Sequence, residues 1–91
     1  LSLEWQGNIN IYPNPSSGKI FIEASGNKSK ELSLNIFNAT GQKVILPIKK
    51  VVGSNWSEEL NLHLLPEGLY VIHISDGQYV YQQRILIQKT Y

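Results

Sequence analysis

The fold is decided by the stretch Leu69-Tyr-Val-Ile-His-Ile74, which is followed by Asp76-Gly77 and by residues 78–88. Its apolar residues recur at every second position, the period of a β-strand with one buried face. The members that share the inward parity are Tyr70, Ile72 and Ile74. Asp-Gly between two such runs predicts a hairpin with a type I′ turn, in which both central residues have positive φ.

The same two-residue period continues toward the N-terminus, and no stretch has the spacing of an amphipathic helix. Seven candidate strands cover residues 9–12, 19–24, 31–37, 42–48, 56–62, 69–74 and 78–88. Strands of this length with turn residues between them are typical of a sandwich or a barrel. We predict an all-β fold with seven strands in two antiparallel sheets.

Three local features refine this prediction. Proline cannot donate a ladder hydrogen bond, so Pro47 places the fourth strand at a sheet edge or at a bulge. The run Asn38-Ala-Thr-Gly41 has the residues that a type I turn prefers at its ends. The last strand loses its apolar alternation at Gln82-Gln83, which predicts a kink or bulge there.

Composition restricts the classes of function. The chain has 91 residues, 42% of them hydrophobic and 16% charged, which indicates one folded domain. A net charge of +1 provides no field for nucleic acid or for anionic lipid, so we predict no nucleic-acid partner. There is no cysteine, no apolar run of membrane-spanning length and no basic N-terminal region of a signal peptide.

No set of residues has the pattern of an active site. Glu58 and Glu59 are adjacent in a candidate strand and therefore point to opposite faces, so they do not form an acid–base pair. His63 and His73 lack a third metal ligand, and we expect His73 to be a solvated strand residue. The sequence contains neither a Gly-x-Ser-x-Gly elbow nor a phosphate-binding glycine loop. We predict no enzyme, no cofactor, no metal and no small-molecule substrate.

The aromatic residues leave an alternative open. Tyr79 and Tyr81 share one face of the last strand, where aromatic pairs commonly pack across strands. If they instead face solvent, the chain is a carbohydrate-binding β-sandwich module of a secreted enzyme. Tyr70 is expected in the core, with its hydroxyl bonded at the rim.

Three segments carry turn chemistry more particular than a sandwich requires. They are Ile11-Tyr-Pro-Asn-Pro-Ser-Ser-Gly18, Leu34-Asn-Ile-Phe-Asn-Ala-Thr-Gly-Gln-Lys-Val44, and Leu62-His-Leu-Leu-Pro-Glu-Gly-Leu-Tyr-Val-Ile-His-Ile74 with the terminal Gln83-Arg-Ile-Leu-Ile-Gln-Lys89. Their prolines end strands by fixing φ, and their Asn and Gly residues permit chain reversal. In this order and spacing the segments resemble the type A C-terminal sorting domain of the type IX secretion system of Bacteroidetes. The resemblance covers residues 9–91, and residues 1–8 look like the end of a linker from an upstream cargo protein.

The resemblance implies an Ig-like β-sandwich and a set of partners. Such domains are attached to an N-terminal cargo that reaches the periplasm and is then directed through the type IX outer-membrane translocon. A sortase-type cysteine peptidase at the cell surface usually removes the domain, so the cargo ends at the cell surface or is secreted. A spacer domain without any partner is a further reading, in which removal of the domain changes nothing.

The family motifs assign candidate recognition residues by resemblance. Those that match are Pro13, Asn14, Pro15, Gly18, Gly68, Tyr70, Arg84, Ile85, Ile87 and Lys89. Family members often end on a basic residue, whereas Thr90 and Tyr91 follow Lys89 here. The terminal strand is a candidate for pairing with an edge strand of a partner, through main-chain hydrogen bonds.

Overall fold

The chain folds as two β-sheets, in a computed structural model that describes residues 3–4, 8–25, 30–52, 55–77 and 79–89. The strands are β1 (Leu3–Glu4), β2 (Asn8–Tyr12), β3 (Lys19–Ser25), β4 (Lys30–Phe37), β5 (Lys43–Val52), β6 (Asn55–Asn61), β7 (Gly68–Ser75) and β8 (Tyr79–Ile87). One sheet has the order β1-β8-β7-β4-β5 and the other has the order β2-β3-β6. The predicted all-β sandwich is confirmed.

An eighth strand joins the seven that the sequence predicts. Strand β1 pairs with β8 in parallel through Leu3↔Tyr79 and Glu4↔Val80, whereas the longer strands pair antiparallel. A two-residue strand is too short to show a period of alternation, so the sequence pattern could not reveal it. Strand β1 lies within residues 1–8, which the sequence analysis assigns to the end of a linker. The boundary between linker and domain after residue 8 stays a prediction.

The core lies between the two sheets. Alternate side chains of β3, β4 and β7 and of the end of β8 point inward, as the two-residue period predicts. The most completely buried are Ile20, Ile22, Ile36, Leu62, Ile72, Ile74, Ile85 and Ile87. Each such side chain contributes about 1.5–3 kcal/mol relative to an exposed one. Branched aliphatic residues on the inward parity of both sheets therefore hold the sandwich together.

Strand β5 confirms the prediction for Pro47. It forms one edge of the five-stranded sheet, and its pairing with β4 is irregular. The register is Leu34↔Ile48 on one side of the irregularity and Ile36↔Ile45 on the other. Pro47 lies inside this interval, where a missing N–H does not interrupt a regular ladder.

The predicted bulge at Gln82-Gln83 is wrong, since β7 and β8 pair without a register shift from Gly68↔Ile87 to Ser75↔Val80. The alternation persists because Gln83 occupies an inward position with its polar groups bonded. Its Nε2 donates to the Ile11 carbonyl at 3.4 Å, and its Oε1 accepts from the Tyr81 hydroxyl at 2.5 Å. A polar residue on the core parity is tolerated when its groups are paired.

The β7–β8 hairpin is confirmed, but its type I′ turn is not. Gly77 has a φ of 94°, whereas Asp76 does not have positive φ. Asp76 instead flanks the reversal: its N–H donates to the Tyr79 carbonyl at 3.2 Å, and its Oδ1 accepts from the Tyr79 N–H at 2.7 Å. The other predicted turn is confirmed by the bond from the Gly41 N–H to the Asn38 carbonyl at 3.0 Å.

Candidate recognition surface

The loop of residues 13–18, here named the first motif loop, lies along the outer edge of β8. Both of its prolines follow a cis peptide bond, Tyr12–Pro13 and Asn14–Pro15. Because proline has no N–H, neither residue can donate a hydrogen bond to β8. The hydrogen bonds to β8 come from Asn14 and Ser16, which lie between and beyond the prolines.

Asn14 binds β8 through its side-chain amide. Its Nδ2 donates to the Arg84 carbonyl at 3.0 Å, and its Oδ1 accepts from the Leu86 N–H at 3.0 Å. The amide presents one donor and one acceptor side by side, as the backbone of a neighbouring strand would. The Asn14 side chain therefore makes the two hydrogen bonds to β8 that the backbone of a neighbouring strand would otherwise make.

Ser16 continues the same pairing with its backbone. Its N–H donates to the Leu86 carbonyl at 2.9 Å, and its carbonyl accepts from the Gln88 N–H at 2.8 Å. The Ser16 side chain is buried and bonds within the loop, donating to the Lys19 carbonyl at 2.7 Å and accepting from the Gly18 N–H at 3.0 Å. The backbone groups on this side of residues 84–88 are thus already hydrogen-bonded in the folded domain, so they are not open to the expected pairing with an edge strand of a partner.

Gly18 closes the first motif loop against a second turn, residues 62–68, here named the second motif turn. The Gly18 carbonyl accepts from the Leu62 N–H at 2.5 Å. Gly18 has a φ of 138°, and a Cβ placed on it would lie 2.7 Å from His63 Nδ1 and 3.3 Å from His63 Cα. Glycine is required both for the backbone conformation and for this close approach.

The second motif turn is fixed by Tyr70 and holds Lys89. Tyr70 is buried and its hydroxyl donates to the Pro66 carbonyl at 2.6 Å, which confirms the expected bond at the rim. The Lys89 N–H donates to Glu67 Oε1 at 2.5 Å, and its Nζ donates to the His63 carbonyl at 2.9 Å. Both motif segments therefore converge on residues 84–89.

The predicted recognition residues fall into two groups. Tyr70, Ile85 and Ile87 are core residues, and Gly18 is buried under His63, so a partner does not reach them in the folded domain. The members with exposed or half-exposed side chains are Pro13, Asn14, Pro15, Arg84 and Lys89, while the backbone of Gly68 is half-buried.

Sequence reasoning missed two exposed leucines. Leu69 and Leu86 are register partners on the outward face of the large sheet, with 43% and 37% of their surface exposed. Arg84 lies beside them, opposite Val71. We name Leu69, Val71, Arg84 and Leu86 the terminal-strand face. The signal was available in the sequence, because both leucines have the parity opposite to Tyr70 and Ile85.

The same outward face includes His73, which is not the solvated residue that the sequence predicted. His73 is half-buried and meets the Phe37 ring edge-on, with ring centroids 6.4 Å apart. Its Nδ1 is sheltered, as is the Oδ1 of its register partner Asn35, and neither atom has a hydrogen-bond partner among the described residues. Aromatic packing on the outward face accounts for the burial.

The tyrosine pair does not form the solvent-facing platform of the carbohydrate alternative. Tyr79 is half-buried, and Tyr81 packs against the core on the same parity as Ile85. Burial raises the pKa of the Tyr81 hydroxyl. The carbohydrate-binding alternative required Tyr79 and Tyr81 to face solvent, and these two residues do not.

The described residues contain neither a candidate metal site nor a candidate membrane-spanning helix. Within residues 3–4, 8–25, 30–52, 55–77 and 79–89, no three His, Asp or Glu residues are grouped so as to hold a metal ion. The same part of the chain contains no helix that is long and apolar enough to cross a membrane.

The fold and its surface define a small β-sandwich in which the first motif loop and the second motif turn both contact residues 84–89. Residues 10–88 match the family model described as the secretion system C-terminal sorting domain. The chain belongs to this family, and it is thus a C-terminal sorting signal of type IX secretion, as the resemblance predicted. A comparison with curated proteins found no match.

Proposed function

We propose that this domain carries an attached N-terminal cargo to the type IX outer-membrane translocon and is then removed by a sortase-type cysteine peptidase at the cell surface. The family assigns the sorting signal, whose cargo is exported to the cell surface or secreted. The observation that supports docking by this chain is the convergence of both motif segments on residues 84–89. These contacts fix the position of the strand that carries the proposed docking side chains.

The docking surface in this proposal is the terminal-strand face together with Lys89. Leu69 and Leu86 supply contiguous apolar surface, which is a frequent mark of a protein contact site. Arg84 supplies positive charge within this face, and Lys89 adds a second charge just beyond the end of β8. Arginine is among the residues that interface centres favour.

The first motif loop has a positioning role in the proposal. Asn14 and Ser16 hold the backbone of β8 on the side away from β7, so the outward side chains Arg84 and Leu86 keep one orientation. A pre-ordered surface binds with a smaller entropic cost than a mobile tail. In this proposal Asn14 and Ser16 are needed for recognition because they position β8, although the translocon does not contact them.

The sorting role is tested by fusing residues 1–91 to a periplasmic reporter in a Bacteroidetes host. We expect the reporter at the cell surface in a strain with the translocon and in the periplasm of a strain without it. The reporter alone is the control and should stay in the periplasm of both strains. Periplasmic retention of the fusion in the competent strain would overturn the proposal, and it is also the result that a partnerless spacer predicts.

Removal by the peptidase is tested on the exported reporter. Mass spectrometry of the surface material should show a reporter that has lost the sorting domain. In a strain whose sortase lacks its catalytic cysteine, the uncleaved fusion should accumulate. An uncleaved fusion on the surface of the sortase-competent strain would contradict this part of the proposal and leave the docking part standing.

The role of positive charge is tested by reversal. Arg84→Glu with Lys89→Glu should lower the exported fraction, because both charges lie at the proposed docking surface. Lys43→Glu with Lys49→Glu is a matched control, since both are exposed lysines of β5 at the opposite edge of the same sheet. Equal export by the two variants, with thermal unfolding unchanged, would remove charge from the proposed mechanism.

A further inference from the structure

The outward face of the three-stranded sheet carries a second exposed apolar feature. Tyr12 and Phe21 are register partners on β2 and β3, with 42% and 36% of their surface exposed. Their rings are stacked with centroids 5.6 Å apart and planes 26° from parallel. The pair lies outside the core cluster. The stacked pair therefore keeps more than a third of each residue's surface open to solvent, outside the core.

The orientation of Tyr12 is fixed by a carboxylate. Its hydroxyl donates to Oε1 of Glu23, which lies on β3 two residues beyond Phe21. This hydrogen bond raises the pKa of the Tyr12 hydroxyl. The hydrogen bond ties the phenol to β3 and restricts the orientation of the Tyr12 ring.

Polar side chains continue from the aromatic pair along the same face. The register places Asn10, Glu23 and Ser57 in one row across β2, β3 and β6, and places Asn8, Ser25 and Asn55 in the next. Two shallow depressions follow these rows. One of about 160 Å³ includes Tyr12, Phe21 and Ser57, and one of about 310 Å³ includes Asn8, Asn10 and Asn55.

We propose that this face, defined by Tyr12, Phe21, Asn10, Glu23 and Ser57 and here named the aromatic face, binds a neutral glycan chain. A sugar ring has an apolar C–H face, which suits the exposed ring of an aromatic side chain. Its hydroxyl groups both donate and accept hydrogen bonds, and amide, hydroxyl and carboxylate side chains supply both complements. The aromatic row and the polar rows provide these two chemistries side by side.

Charge and length restrict the ligand. Glu23 and Glu59 lie on this face, and Lys19 pairs with Glu59 at 3.3 Å rather than offering a separate cationic site. An anionic polysaccharide is therefore disfavoured. The distance along β2 from Tyr12 to Asn8 is about 13 Å for four residues of strand. That length fits a di- or trisaccharide portion of a longer neutral chain.

This inference does not rest on the sorting role. The aromatic face is the outer surface of the three-stranded sheet, whereas the terminal-strand face is the outer surface of the five-stranded sheet. The two are separated by the core, so a glycan and the translocon can bind at the same time. Substitutions on one face are expected to leave the other function intact.

The proposal is tested with the full 91-residue chain and neutral oligosaccharides, namely cellohexaose, xylohexaose and mannohexaose, followed by NMR. At least one should shift the ring resonances of Tyr12 and Phe21. Tyr12→Ala and Phe21→Ala should each weaken that binding roughly five- to tenfold. Leu69→Ala with Leu86→Ala is the matched control on the opposite face, and it should leave the affinity unchanged.

Several results would overturn the proposal. They are the absence of binding to every neutral oligosaccharide at millimolar concentration, binding that survives both aromatic substitutions, and equal or tighter binding of polygalacturonate. A dimer that forms in solution and is lost in the Tyr12→Ala variant would also overturn it, because the occupant would then be a second copy. Export of the reporter fused to the aromatic variants is measured in parallel, so that failure of the glycan proposal is distinguished from failure of the sorting proposal.

Discussion

Asn14 is the residue on which the geometry of the terminal strand most depends. Asparagine after proline is an ordinary turn residue, and its sequence context explains no more than a chain reversal. In the structure its amide instead pairs with two backbone groups of β8, 70 and 72 positions further along the chain. A single side chain thus connects the loop after the second strand to the last strand.

Asn14→Ala should destabilise the domain by about 1–2 kcal/mol, since two backbone groups lose their partners. Hydrogen exchange should localise the effect, with the Leu86 amide losing protection and the Ile72 amide keeping it. Asn10→Ala is the matched control, because Asn10 is an exposed asparagine on β2 outside the first motif loop. Unchanged protection at Leu86 in the Asn14 variant would show that the loop does not hold β8.

Gly18→Ala should be more costly than a glycine substitution in an open turn. The change adds a contact with His63 to the strain of positive φ, and we expect a loss of about 3 kcal/mol in the free energy of unfolding. Gly77→Ala is the control, since Gly77 has a φ of 94° but no atom near its would-be Cβ, and it should cost about 1 kcal/mol.

A double variant separates the two causes. Gly18→Ala with His63→Ala should regain part of the lost stability, because the imidazole supplies the nearest contact. Denaturant unfolding of the single and double variants measures the coupling. Equal costs for Gly18→Ala and Gly77→Ala would contradict the close packing of the two motif turns.

At the scale of elements, β8 has two distinct faces. Ile85 and Ile87 point into the core with at most 1% exposed, whereas Arg84 and Leu86 point outward. Deleting the end of the strand would therefore remove core and surface together. A loss of export after such a truncation would not distinguish unfolding from lost recognition.

Single substitutions in β8 should separate the two faces. Ile87→Ala should cost about 2–5 kcal/mol through the cavity that it leaves. Leu86→Ala should change stability by no more than about 0.5 kcal/mol, because the side chain is partly in solvent. Urea unfolding measures both, and similar costs for the two variants would show that the assigned faces are wrong.

The sequence was sufficient for the seven longer strands and insufficient for the contacts between them. The alternation of Ile20, Ile22 and Ala24, and of Tyr70, Ile72 and Ile74, predicted which faces are buried. Nothing local indicated that residues 13–18 would lie along β8, because that pairing depends on the packing of distant segments. The prediction of a bulge at Gln82-Gln83 was wrong for the same reason, because the hydrogen-bond acceptor for the Gln83 side chain lies on the distant strand β2.

At the scale of the whole molecule, alkaline pH should weaken the fold in part through Tyr81. Burial raises its pKa above the ordinary value of 10.0, so the folded state keeps the phenol proton to higher pH than the unfolded state. The contribution of Tyr81 to the free energy of unfolding is complete below the pKa that the phenol has in the unfolded state. It is lost as the pH rises through the pKa that the phenol has in the folded state.

The measurement is the difference in unfolding free energy between the parent and Tyr81→Phe. It should be constant from pH 7 to 9 and should shrink above about pH 10. A Tyr79→Phe variant provides a neighbouring tyrosine for comparison. A difference that is independent of pH up to alkaline unfolding would mean that the Tyr81 hydroxyl is not sheltered in the folded domain.

The two sheets present separate outer surfaces, and the central claim is that export depends on one of them. The most direct measurement is the surface fraction of a reporter fused to residues 1–91, compared between Leu69→Ser/Leu86→Ser and Tyr12→Ser/Phe21→Ser. Both double variants remove two exposed apolar side chains, and thermal unfolding verifies that each is folded. The account predicts that the leucine variant loses export by about tenfold or more, while the aromatic variant is exported like the parent. Parental export of the folded leucine variant would contradict it.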